Sequence, residues 1–231
     1  MRHTIARVAH LLGTVHFLRG RGEEAVAGVL GFRMPEADPS WVELGNAWEL
    51  RVGRAIPASW SLREHLAERW VRFHSLPDSK RDADTEEEER MLLDRHHHVL
   101  AALRGSSDEV VVVLLRWDGQ GRFRASREFR RLSRIWSFWR TFVDETTADD
   151  EDEAITASAF VRRLPATRAA LDPWFRRAAD DADVFVITND AVDWVYAPYD
   201  GGADVITPTA EARDALSDRY SAWRSPRPDG L

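Results

Sequence analysis

Within ten residues, Arg72 to Arg81 (RFHSLPDSKR), the chain sets two guanidinium groups, an imidazole, two hydroxyls and an ammonium around one proline. Hydroxyls with arginine and lysine donors are what a phosphate or carboxylate ligand requires, and histidine adds a group that titrates near neutrality. Arg72, His74, Ser75, Ser79, Lys80 and Arg81 are therefore the first candidate binding residues. Lys80 is the only lysine in a chain of 32 basic residues, at a place where a compact ammonium differs chemically from a planar guanidinium. A run of four acids, Glu86 to Glu89, follows closely. It opposes an anion at the next helix start and offers the motif's cations internal partners.

A second cluster lies at Tyr196 to Asp204 (YAPYDGGAD), where Tyr199, Asp200 and Asp204 surround a glycine pair. Such a segment suits a chain reversal in which Asp200 bonds its own backbone. Its carboxylates could alternatively face a cation. His96, in Arg95-His96-His97-His98, falls among Leu92, Leu93, Val99, Leu100 and Leu103 at helical spacing. That position fits a buried, hydrogen-bonded histidine or one lining a pocket under the preceding loop. Consecutive histidines on a helix point about 100° apart, so the triplet makes a poor chelate.

No catalytic set is complete. A phosphate-binding P-loop, a full dinucleotide fingerprint, a nucleophile elbow and an H-E-x-x-H zinc motif are all missing. No catalytic residue, metal ligand or cofactor is assigned. Zero cysteines remove disulfides and thiolate chemistry.

The elements that must position these residues follow from pattern. WVRFH, residues 70–74, alternates like a strand, placing Arg72 and His74 on one face and Val71 and Phe73 on the other. Thr85 with Glu88 forms a capping box opening a helix to Leu103. Ser61 with Glu64 has the same form and predicts a helix to about Arg69. Glu109 to Trp117 predicts a strand buried on both faces. Residues 126–143 fit a helix better than a strand, and Thr167 to Ala179 a further helix. Val184–Thr188, Trp194–Ala197 and Ala203–Ile206 predict an antiparallel meander. Thr207 and Pro208 are the expected cap and first residue of a last helix. Trp41 to Leu50 and residues 4–18 are also helical by pattern. The fold class expected is α+β: a small, largely antiparallel sheet packed with several helices. Residues 1–40 are expected to form a helical extension and linker, and 41–231 one domain.

At 231 residues and 44% hydrophobic, the chain can bury a core without disulfide or metal staples. A net charge of −7 disfavours nucleic acid, although Arg122 to Arg140 holds seven arginines beside seven carboxylates in Asp144 to Glu153. Ile5 to Leu18, broken by Arg7, His10 and His16, is too short to span a bilayer, so a cytoplasmic location is expected.

The two motif stretches together resemble an uncharacterised bacterial family with R-[IFV]-H-S-L-P-x-S-K-R-Y, a helical R-H-N and P-Y-D-G-G-x-D. Arg72 to Arg81 carries the first, with Asp82 in place of tyrosine. Arg95-His96 carries the second, with His97 for asparagine, and Pro198 to Asp204 the third. The resemblance spans about Trp60 to Leu231 and implies shared architecture; it supplies no activity and no nucleophile.

The expectation for function is a bacterial binding protein, immunity- or antitoxin-like, with a toxin-like or oppositely charged protein partner. Ten tryptophans and many arginines, the residues that dominate interface energetics, motivate it. The alternative is an enzyme or sensor for a phosphorylated or nucleotide ligand, a small anion held by Arg72, Lys80 and Arg81 with His74 or His96 as acid–base group.

Overall fold

The computed structural model describes residues 38–118, 127–144, 155–225 and 227. The expected helix at 4–18, most of the linker, and nearly all of the acidic segment after Asp144 lie outside them. Helices α1 (Val42–Arg51) and α2 (Ser59–His65) lead into strand β1 (Trp70–His74) and helix α3 (Glu86–Arg104). Strand β2 (Glu109–Asp118), helix α4 (Arg127–Leu132), strands β3 (Ser137–Asp144) and β4 (Ile155–Pro165), and helix α5 (Arg168–Ala179) follow. The meander β5 (Val184–Thr188), β6 (Val195–Tyr199), β7 (Gly202–Ile206) and helix α6 (Ala210–Arg219) complete the described order.

The seven strands form one antiparallel sheet, β1-β7-β6-β5-β2-β4-β3, so the class is α+β as the pattern indicated. β2 runs through its interior. Its side chains alternate between two cores, as a strand covered on both faces must. Val110, Val112 and Leu114 pack with Leu93, Leu100, Leu171 and Phe175 from α3 and α5. Val111, Val113 and Leu115 pack with Leu44, Trp48 and Leu62 from α1 and α2. The helices thus sandwich the sheet. None of them is long and apolar enough to cross a membrane, among the described residues.

Several local expectations are corrected. Residues 126–143 are not one helix: α4 ends at Leu132 and β3 begins at Ser137. A β-bulge between Phe138 and Arg140 explains the misleading spacing. It shifts the alternation, so Trp139 and Phe142, three apart, lie in the same core while Phe138 lies in the other. β4 had no counterpart in the pattern, because Ala157, Ala159 and Ser158 give little hydrophobic contrast. Ser61 does not cap a helix; α2 starts earlier, and the Ser61 hydroxyl accepts from the Ile56 amide at 3.1 Å. The last helix is capped by Thr209, whose hydroxyl accepts from Ala212 N at 3.2 Å, rather than by Thr207.

The Thr85 cap is as expected. Its hydroxyl accepts from Glu88 N at 3.2 Å, while the Glu88 carboxylate turns back to Asp84 N at 2.7 Å. A four-residue acidic first turn on a 19-residue helix complements the helix dipole.

Candidate functional site

β1 delivers the first motif to the sheet edge, and β7 delivers the second beside it. Arg72 is registered opposite Asp204, and His74 opposite Gly202. The backbones come so close that a Cβ on Gly202 would lie 2.0 Å from Phe73 O. Only glycine fits there. Ser75 N also donates to Gly201 O at 3.1 Å, so the loop after β1 is bonded to the β6–β7 turn.

Most of the motif's cations are committed. The Arg72 guanidinium donates to both oxygens of Asp204, Nε to Oδ1 at 2.7 Å and Nη2 to Oδ2 at 2.9 Å. Its charged carbon lies 4.8 Å from the Tyr199 ring centroid and 5.5 Å from that of Trp70. Burial acts to lower the Arg72 pKa, but the hydrogen bonds and charge of Asp204 outweigh it and the net shift is upward. Lys80 Nζ reaches Glu88 at 2.6 Å and Asp84 at 2.8 Å, and these bonds raise its pKa. Lys80 thus ties the loop to the start of α3. The loop is tightly folded on the way, with Asp78 and Ser79 both at left-handed φ values of 56° and 57°. Arg81 is the loosest of the three, 3.3 Å from Asp200 with its side chain 72% exposed.

The histidines divide. His74 Nε2 meets the Ser79 hydroxyl at 3.3 Å, and its pKa is lowered by burial and by Arg72. His96 is buried in α3, with Nε2 3.2 Å from Ser75 Oγ and Nδ1 2.6 Å from the Tyr196 hydroxyl. Its ring stacks on Phe175 with centroids 4.7 Å apart. In a neutral imidazole one nitrogen donates and the other accepts, and two hydroxyls satisfy either tautomer. Burial lowers its pKa to about 3, so it stays neutral at ordinary pH. Beside this chain is a void of about 10 Å³ touching Phe73, His74, Ser75 and Tyr196, about the room one water takes. His96 is a hydrogen-bonded core residue.

His97, predicted to sit where an amide is usual, bonds Asp172 at 2.6 Å and packs on Phe175. Arg95 donates to His74 O at 3.0 Å and lies over Trp223. No group of three or more His, Cys, Asp or Glu is arranged to hold a metal among the described residues.

A larger opening borders Arg72. A cleft of about 220 Å³ lies between the start of α2, the end of α5 and the β6–β7 turn. Ser59, Trp60, Arg81, Asp181, Tyr199 and Asp200 line it, together with Arg72. Of the ten candidates, the cleft gathers Arg72, Arg81, Tyr199 and Asp200, with Asp204 beneath Arg72. His74, Ser75 and His96 belong to the small void, while Ser79 and Lys80 belong to neither. Burial raises the Tyr199 pKa above the ordinary tyrosine value. Trp60 and Asp181 escaped sequence reasoning because they lie outside both motifs. Asp181 occupies a left-handed turn at the α5 terminus (φ 51°), a conformation aspartate tolerates but seldom takes.

An α+β protein whose separate motifs meet at one sheet edge is thereby defined. The chain belongs to the family described as a domain of unknown function, DUF3885, whose model matches residues 58–228. No curated protein and no solved structure matches the chain.

Proposed function

We propose that this is a cytoplasmic bacterial protein that acts by binding another protein, in the manner of an immunity or antitoxin protein, through the cleft beside Arg72. The observation behind this reading is how the charges are distributed. Arg72 and Lys80 are held by Asp204, Asp84 and Glu88, which supports reading the motif as a structural joint rather than a phosphate cradle. The adjoining cleft keeps Trp60, Tyr199 and Asp181 at its surface. Tryptophan and tyrosine anchors in a concavity are the usual centre of a protein interface. Tryptophan content by itself carries less weight, since Trp41, Trp48, Trp136, Trp139 and Trp194 are core residues.

The test is affinity purification of the tagged full chain, followed by light scattering on the reconstituted complex with the captured protein. A stoichiometric partner displaced by Trp60→Ala and Tyr199→Ala is expected. Absence of any stoichiometric protein, including products of neighbouring genes, overturns the reading.

A second reading, an enzyme or sensor for a phosphorylated ligand, keeps one supporting observation: Arg81 is largely exposed at the cleft. Thermal-shift screening against phosphates and nucleotides separates the two. Stabilisation that vanishes in Arg81→Ala favours the second, and no shift favours the first.

A further inference from the structure

Charge pairing around the cleft leaves one group over. Arg72 is matched by Asp204, and Arg81 by Asp200. Asp183 is matched by Arg116 and Arg177, and Arg116 also bonds Glu128. Counting each group once, these arginines and carboxylates balance. Asp181 has no such partner: no ion pair or side-chain hydrogen bond reaches its carboxylate among the described residues. It stands at the mouth of the cleft, fixed by its amide donating to Ala178 O at 3.0 Å. Partial desolvation of this largely exposed side chain and the neighbouring Asp200 raise its carboxyl pKa, while Arg81 opposes that shift. An incoming cation would reverse the imbalance.

The walls are suited to the same kind of group. Trp60 and Tyr199 are among the lining residues, the Trp60 ring also packing on Trp117 at 5.8 Å, and aromatic rings attract ammonium and guanidinium groups, tryptophan most strongly. Arg72 already uses the Tyr199 ring in this way, at 4.8 Å. The Tyr199 hydroxyl makes no hydrogen bond within the described residues.

We propose that the cleft receives an arginine or lysine side chain of the partner protein, with Asp181 as its counter-ion and Trp60 as its aromatic wall. The inference rests on the partner-binding reading above and specifies its chemistry. It assigns the partner a basic anchor residue and makes free phosphate the wrong ligand for this opening.

The test is a titration of the ¹⁵N-labelled full chain with Nα-acetyl-arginine methylamide, following the Trp60 indole resonance. The lysine analogue, agmatine and inorganic phosphate serve as parallel probes. Saturable shifts are expected for the arginine and lysine amides at millimolar concentration, with affinity roughly five-fold weaker in Asp181→Asn. Asp181 is exposed, so this variant is expected to fold, which its spectrum verifies directly. Phosphate should leave the Trp60 resonance unmoved.

No saturable shift, equal affinity in Asp181→Asn, or a phosphate response in place of the cation response would overturn the proposal. Tighter binding of free agmatine than of either amide would also overturn it, by assigning the cleft to a small amine. Failure here stays separate from failure of the partner reading. A purified partner held equally by the wild-type chain and Asp181→Asn removes the cation anchor but leaves partner binding standing.

Discussion

Arg72 and Asp204 sit at directly paired positions of β1 and β7 and share two charge-assisted hydrogen bonds of 2.7 and 2.9 Å. The Asp204 side chain is fully buried and that of Arg72 is 14% exposed. Removing one member leaves the other charged and desolvated, which costs far more than the intact pair contributes. Asp204→Asn should therefore destabilise the fold by about 3 kcal/mol in urea denaturation. Arg72→Lys should recover little, because an ammonium cannot reproduce the two-pronged contact. A shift within about 0.5 kcal/mol for Asp204→Asn would show that the pair is not a structural joint.

Lys80 gives a contrasting expectation. Its contacts with Asp84 and Glu88 lie near the surface, where water and salt screen charge. Lys80→Ala should lower the melting temperature less than Asp204→Asn, and the difference from wild type should shrink as salt is raised. An equal effect at low and high salt would contradict an ion-pair role.

The buried His96 makes stability fall in acid. In the unfolded chain it titrates near 6.5, whereas in the fold burial lowers its pKa to about 3. Between those values the unfolded chain holds the extra proton, so stability is complete above about pH 6.5 and declines as pH falls towards 3. The loss from this group is on the order of 5 kcal/mol across the window. His74 and His97 are shifted in the same direction. Urea midpoints from pH 7.5 to 4.5 should drop for the wild type, and the gap to His96→Gln should narrow in acid. Parallel curves would exclude the His96 contribution.

Tyr196→Phe tests the same chain of hydrogen bonds while keeping the His96 imidazole in place. It leaves His96 Nδ1 without its 2.6 Å partner in the core, for which a cost of about 1–3 kcal/mol is expected. Chemical denaturation at neutral pH measures it.

Gly202→Ala should be among the most damaging single-methyl changes in the sheet. The added carbon would meet Phe73 O at 2.0 Å, and a backbone atom inside a ladder cannot swing aside. A loss above about 3 kcal/mol, seen as insoluble or unfolded protein by circular dichroism, is expected.

How much of this was legible depended on range. Strand β1, the α3 stripe with His96, the interior position of β2 and the meander all follow from local periodicity, and all are present. Residues 126–143 misled because a bulge places Trp139 and Phe142 on one face at a spacing that imitates a helix turn. At the site, the donor types of the first motif were plain, but their partners were not. Asp204 lies 132 residues from Arg72, and no local rule couples them. The acids after the motif offer partners to Arg72 and Lys80; Glu88 is one for Lys80, whereas Arg72 turns to Asp204 instead. Trp60 and Asp181 carried no signal, since each reaches the cleft from an element end whose position only the folded sheet determines.

The pairing of β1 with β7 also has a consequence for the order of events during synthesis. Among the described residues β1 lies at the edge of the sheet and pairs with β7 alone, the last of the described strands. At translation rates of roughly 5–20 residues per second, β1 emerges many seconds before its ladder can form. Through that interval Val71 and Phe73 have no sheet to cover them, and the Arg72 charge has no Asp204 to meet. A nascent chain that stops short of β7 lacks the Asp204 that holds Arg72 beside the cleft, so a partner that reads the cleft with Arg72 in place meets it only after β7 has been made.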